Sequence, residues 1–250
     1  MKNEEPKLLL ERYHWITFLL PLIVFMLVGT LEPTPEKVGG HAIGLAIPYA
    51  SYPWIYAAKI VATVIAMACV LSGYRKFPFK IHLLSILVGI VGIVVWVGLC
   101  KLNLEQRLLA PLGFGSIVEL GARSAFNPFE QLKANPIGAW AFLAVRFFGL
   151  VFVVAVIEEF FLRGFVMRYV VDAEWWNVPF GKVNAMAVLA GTIVPMAMHP
   201  AELFAAAAWF LLITWLMVRT KNIWDCIVAH AVTNLLLGIY VVTTGEWYLM

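Results

Sequence analysis

Val151-Phe-Val-Val-Ala-Val-Ile-Glu158-Glu159-Phe-Phe-Leu-Arg163-Gly-Phe-Val166 is an apolar run broken only by two adjacent carboxylates and one arginine. A run of about 20 apolar residues is what a helix needs to cross the hydrocarbon core of a bilayer. By insertion scales each charge inside such a helix costs about 2.5–3.5 kcal/mol at the bilayer centre. A membrane helix keeps charges at that cost when they are paired with one another or used in function. The stretch therefore reads as a spanning helix that carries a functional site.

The rest of the chain agrees. Its 250 residues are 62% hydrophobic and 13% charged, with a mean hydropathy of +0.87. A soluble domain is about half apolar and a quarter charged. The predicted fold class is all-α, a polytopic transmembrane helical bundle forming a single membrane domain over residues 1–250. Apolar runs place about seven spans at 13–31, 53–73, 82–100, 139–167, 184–200, 203–218 and 223–243, with room for an eighth in the third loop. There is no internal repeat. A net charge of +3 is too small to argue for nucleic acid, and the partner it leaves is the lipid bilayer. The N-terminal run lacks a small-x-small cleavage site and reads as an uncleaved first span.

Lys and Arg in the loops orient the bundle. With the N-terminus cytoplasmic, the inner segments hold Lys2, Lys7, Arg12, Arg75, Lys76, Lys80, Arg163, Arg168, Lys182, Arg219 and Lys221, whereas the outer ones hold Lys37, Lys101, Arg107, Arg123 and Lys133. The four last-named cations lie in one extramembrane loop, 101–136, read either as amphipathic pieces on the membrane surface or as a loop packed on helix ends. Lys59 and Arg146 fall inside spans near their outer ends. Both are expected to snorkel, with a carboxylate partner as the alternative for Arg146. Trp175-Trp176 is expected to be an interfacial anchor. Cys69, Cys100 and Cys226 form no C-x-x-C and read as inert core thiols.

Three polar clusters fall in the last four spans: Glu158-Glu159-Phe-Phe-Leu-Arg163, His199, and His230-Ala-Val-Thr-Asn234. Glu159 and Arg163 are four apart with the carboxylate N-terminal, the favourable order for a helical ion pair. Glu158 projects about 100° away from Glu159, which suits a general base. His230 and Asn234 share one helix face. At about 1.5 Å per residue, Glu158 lies about 15 Å in from Arg168, and His230 and Asn234 lie about 14 and 20 Å in from Lys221. His199 comes out near 25 Å from Lys182, too deep by one or two turns unless the helix tilts, starts later or bends at Pro195. A glutamate, two histidines and an asparagine converging in one bundle have the composition of a hydrolytic site: a base, an orienting group and oxyanion donors.

These residues resemble the CAAX protease and bacteriocin-processing (Abi, CPBP) family of intramembrane peptidases. That family carries E-E-x-x-x-R, F-x-x-x-H and H-x-x-x-N. The first and third motifs match in full. In the second, Pro195 stands where the family has Phe. The resemblance covers roughly 137–240, and it marks 137–243 as the catalytic core bundle. The ending from Asn222 to Asn234, followed by Gly245-Glu-Trp247, resembles an exosortase-associated bacterial subgroup, which implies a bacterial inner (cell) membrane and no encounter with prenylated proteins.

The resemblance implies an intramembrane endopeptidase of the glutamate type, acting on a membrane-associated peptide or protein. Glu158 is then the general base on a water that His199 positions. His230 and Asn234 donate to the oxyanion, and Glu159 and Arg163 support the site. No cofactor is required. The alternative is zinc held by Glu158, His199 and His230, an acceptable triad with an open fourth position, although H-E-x-x-H is missing. Two other functions compete: a non-catalytic scaffold or immunity protein on the same core, favoured by Pro195, and a small proton-coupled carrier. The absence of repeats and of paired broken helices weighs against the carrier.

Overall fold

The computed structural model describes residues 10, 13–35, 47–114 and 125–250. Among them the chain is all-helical, with no strand. Lys2, Lys7, Arg12, Lys37 and Arg123, five of the cations used to orient the bundle, lie outside the described residues.

Seven apolar helices correspond one for one to the seven runs in the sequence: α1 (Ile16–Gly29), α2 (Tyr52–Cys69), α3 (Leu83–Leu102), α4 (Pro136–Val171), α5 (Ala185–Met198), α6 (Leu203–Thr220) and α7 (Ile223–Thr244). Five of these segments are long and apolar enough to cross a membrane, and α1 and α5 are shorter. Together they make an integral membrane protein. Helix starts follow local chemistry. Asn135, Asn184 and Asn222 each accept a backbone N–H of the first turn through the side-chain oxygen, which satisfies one of the orphan donors there. Gly245, at φ 77°, ends α7 in the left-handed region, where glycine pays no steric penalty.

The packing of α3 on α7 sets the centre of the molecule. Ser85, Val88, Gly89, Gly92 and Trp96 form a buried stripe along α3, while Leu83, Leu87, Ile90 and Val94 on its other face are exposed, as befits a lipid-facing surface. Glycines stand at two places in the stripe because α6 and α7 come close there. A Cβ on Gly89 would stand 2.7 Å from the Ala229 carbonyl, and one on Gly92 would stand 2.7 Å from both Thr233 Oγ1 and Trp209 Nε1. Small residues at helix contacts allow this approach where apolar lipid supplies no hydrophobic drive. It also brings Trp96 beside the polar residues of α7.

Helix α4, 36 residues long, is not a uniform α-helix. Two π-helical stretches, Gly149–Val154 and Phe160–Val166, flank one α-helical turn, Ala155–Glu159. Wide turns of this kind take carbonyls out of the regular ladder and occur often at functional sites.

Several expectations need correction. Lys59 does not snorkel. It is buried, 2.5 Å from Glu32 and over the rings of Phe25 and Tyr56. Arg146 is buried too and donates to the carbonyls of Phe126 and Met250. Trp175 packs inside against Phe18 and Phe165, and only Trp176 is exposed, stacked on His14. Of the cysteines only Cys226 is buried, and Cys69 is exposed. The flanks of the 101–136 loop pack on helix ends. Phe126 is fully buried against Tyr52 and Phe142, and buried Glu105 accepts the N–H of Phe204 at the start of α6, a favourable place for a carboxylate.

Candidate active site

Glu158, His199, His230 and Asn234 come from three different parts of the bundle and line one pocket of about 70 Å³. That is room for a few waters at roughly 10–15 Å³ each. Its walls include apolar side chains, Leu150, Val154, Phe210 and Leu237, and the rings of Trp96 and Trp209.

Glu159 sits one residue round the helix from Glu158 and points elsewhere. It is fully buried, as is Arg163. Arg163 Nη1 donates to Glu159 Oε1 at 3.2 Å, and Nε lies 3.1 Å from Oε2. The second approach is a charge contact whose N–H is not aimed for a hydrogen bond. Arg163 Nη2 donates to the carbonyl of Phe210, which ties α4 to α6. Glu159 also faces His230, with Nδ1 at 3.0 Å from Oε1. An ionised carboxylate only accepts, so Nδ1 carries the hydrogen. The imidazole is thereby fixed in orientation and tautomer, the usual effect of a carboxylate behind a working histidine. Its Nε2 lies 4.0 Å from Glu158 Oε2. The sequence shows the Glu159–Arg163 pair but not this third member, which depends on how α4 and α7 meet.

His199 owes its place to the two prolines around it. Pro200 disfavours α-helical backbone at the residue before it, and His199 has φ −128°, ψ 58°. Helix α5 ends there, and His199 N bonds back to Met196 O. The carbonyl of Pro195 is released from the backbone ladder and accepts His199 Nδ1–H at 2.8 Å. Nδ1 is therefore the protonated nitrogen and Nε2 the accepting one in the neutral ring. Despite the depth that a straight-helix count assigns it, His199 reaches the same pocket as Glu158, His230 and Asn234 from the break between α5 and α6. Pro195, the departure from the family motif, supplies the carbonyl that holds the ring.

Asn234 Nδ2 donates to the carbonyl of Leu150 at 2.8 Å. Leu150 lies in the first π-helical stretch of α4. The amide is oriented by that bond, and its second N–H has no partner among the described residues. Thr233, one residue earlier, accepts Trp209 Nε1–H at 3.1 Å and donates within the α3–α7 contact. Trp209 packs edge-on to His230 and Trp96 edge-on to His199, with ring centroids 4.6 and 5.6 Å apart.

A metal site asks for three donors aimed at one point. Among the described residues no group of three or more His, Cys, Asp or Glu side chains is placed that way.

Residues 140–236 match a family model described as type II CAAX prenyl endopeptidase Rce1-like. Over this segment the chain is similar to that family. The match contains all six residues of the site and excludes α1 to α3. No curated protein and no solved structure matches the chain.

Proposed function

We propose that the protein is an intramembrane endopeptidase in which Glu158 activates a water against a peptide bond of a membrane-associated substrate. The observation that carries this reading is the shared pocket of Glu158, His199, His230 and Asn234 within the Rce1-like segment. Protease chemistry of the CAAX type is what the family suggests. The glutamate mechanism is our reading of the site.

Water enters between Glu158 and His199. It gives one hydrogen bond to the carboxylate and one to Nε2 of His199, whose other nitrogen is committed to Pro195. Glu158 takes the proton as the water oxygen bonds to the carbonyl carbon. The carbonyl oxygen becomes an oxyanion and receives the second N–H of Asn234. The proton passes from Glu158 to Nε2 of His230, across the short gap between them. Glu159 stabilises the resulting imidazolium, which donates to the oxyanion and then gives its proton to the leaving amine as the C–N bond breaks. An acid and an amine leave, and both catalytic groups return to their starting forms.

The reading carries a bacterial inner membrane as the setting and needs no metal. Membrane peptides from strains with and without the protein are expected to differ by a set of cleavage products, and Asn234→Ala is expected to reduce them about 10²–10³-fold, the usual effect of losing one oxyanion donor. Products at wild-type level with Asn234→Ala would remove that residue from the mechanism. Purified protein dialysed against a chelator should cleave unchanged, and activity lost to the chelator and restored by zinc would replace the water–glutamate scheme with the metal one.

A further inference from the structure

Trp96 lies outside the Rce1-like segment, on the buried stripe of α3. It is 6% exposed, it lines the pocket, and its Nε1–H is buried with no hydrogen-bond acceptor among the described residues. The neighbouring indole behaves otherwise, since Trp209 gives its N–H to Thr233. A buried N–H without an acceptor is destabilising. Such a group in a native structure calls for an explanation, and an acceptor that arrives with the substrate is one.

The pocket is short of donors at the moment they are needed. His230 has given Nδ1–H to Glu159, so its Nε2 holds a hydrogen only after a proton has arrived. His199 has given Nδ1–H to Pro195. Asn234 has one N–H left. While the oxyanion forms, one uncharged donor faces it from this set, and preorganised donors are usually the largest single source of rate enhancement. Trp96 stands edge-on to His199 in the wall of the pocket.

We infer that the indole N–H of Trp96 is a second, permanently protonated donor to the oxyanion, a catalytic contribution from α3 to a site otherwise built from α4 to α7. This rests on the endopeptidase reading above. It also gives the close approach of α3 at Gly89 and Gly92 a second task, since the same helix carries Trp96 to the pocket wall.

The test uses full-length protein in lipid nanodiscs and a quenched fluorescent peptide built on the cleavage site that Glu158-dependent processing reveals. Two variants remove the N–H: Trp96→Phe, and replacement of Trp96 by benzothienylalanine, which exchanges N–H for sulfur at nearly the same shape. Both should lower kcat about 10²-fold and leave KM within about 3-fold, because the donor acts on the transition state and not on bound substrate. The isosteric variant should also melt no lower than wild type, since it discards a group that the resting protein leaves unsatisfied. Unchanged kcat in the isosteric variant, with wild-type cleavage still lost in Glu158→Gln, overturns the role of Trp96 alone. A lower melting point for the isostere also overturns it, by showing that the N–H has a structural acceptor. Cleavage that survives Glu158→Gln overturns the endopeptidase reading, and this inference with it.

Discussion

Glu158→Gln should abolish cleavage while the protein inserts, folds and melts as wild type. Gln keeps the volume and the hydrogen-bonding outline of Glu, so the wall it forms beside Leu150, Val154 and Asn234 is preserved. What it loses is the ability to take a proton. General-base catalysis is worth about 10²–10⁴-fold, and here the same carboxylate also starts the relay to His230, so the loss belongs at the upper end of that range. Stability is spared because the structural ion pair of this turn is made by the next residue. Glu159, not Glu158, is sealed against Arg163 with no exposure. The assay is hydrolysis by purified protein in nanodiscs, read together with its thermal midpoint. Full cleavage by a well-folded variant would take Glu158 out of the mechanism, and a variant that fails to insert would show that the two carboxylates had been assigned the wrong way round.

That division between neighbours was visible in the sequence for a geometric reason. Residues four apart on a helix meet, and residues one apart diverge, so Glu159 had to face Arg163 and Glu158 had to face something else. The seven apolar helices are visible too, since lipid demands long apolar runs, although only five of them are long enough to cross a membrane. The His199-Pro200 pair marked a helix end, although a straight-helix count put the histidine too deep. The rest depends on contacts between distant segments, and no local period encodes those. The carboxylate behind His230 is 71 positions away, the carbonyl that holds Asn234 is 84 away, and Glu32 is matched to Lys59 by the way α1 leans on α2. Trp96 was unmarked because an apolar residue in an apolar run carries no signal. It becomes conspicuous only when its N–H is found without an acceptor.

The same distinction explains the errors. Position near a span end predicts snorkelling for Lys59 and Arg146, because a long side chain reaches water there. Both instead turn inward, Lys59 to a carboxylate and Arg146 to two main-chain carbonyls. Charge inside this bundle is thus answered by protein before it is answered by solvent, at the periphery as well as in the pocket.

Arg163→Met should be the most destabilising of the single changes at the site. Removing one partner of a buried ion pair leaves the other uncompensated, at a cost of about 3–5 kcal/mol. Here the orphan would be Glu159, with His230 Nδ1 still in contact, and the carbonyl of Phe210 would lose one of its donors while keeping the Thr214 hydroxyl. Lysine should be a poor substitute, because one ammonium cannot reproduce the fork that touches both carboxylate oxygens and Phe210. The informative variant is the double one, Glu159→Leu with Arg163→Met. An apolar pair of similar volume often recovers the stability that a broken buried pair loses, so the double variant should melt well above Arg163→Met alone. Its cleavage should remain down by about 10²–10⁴-fold, the scale seen when a catalytic histidine loses the carboxylate that sets its tautomer. Recovery of stability without activity would separate the two tasks of Glu159, holding Arg163 and aligning His230. Recovery of both would reduce the Glu159–His230 contact to packing, and the proton relay through His230 would have to be abandoned.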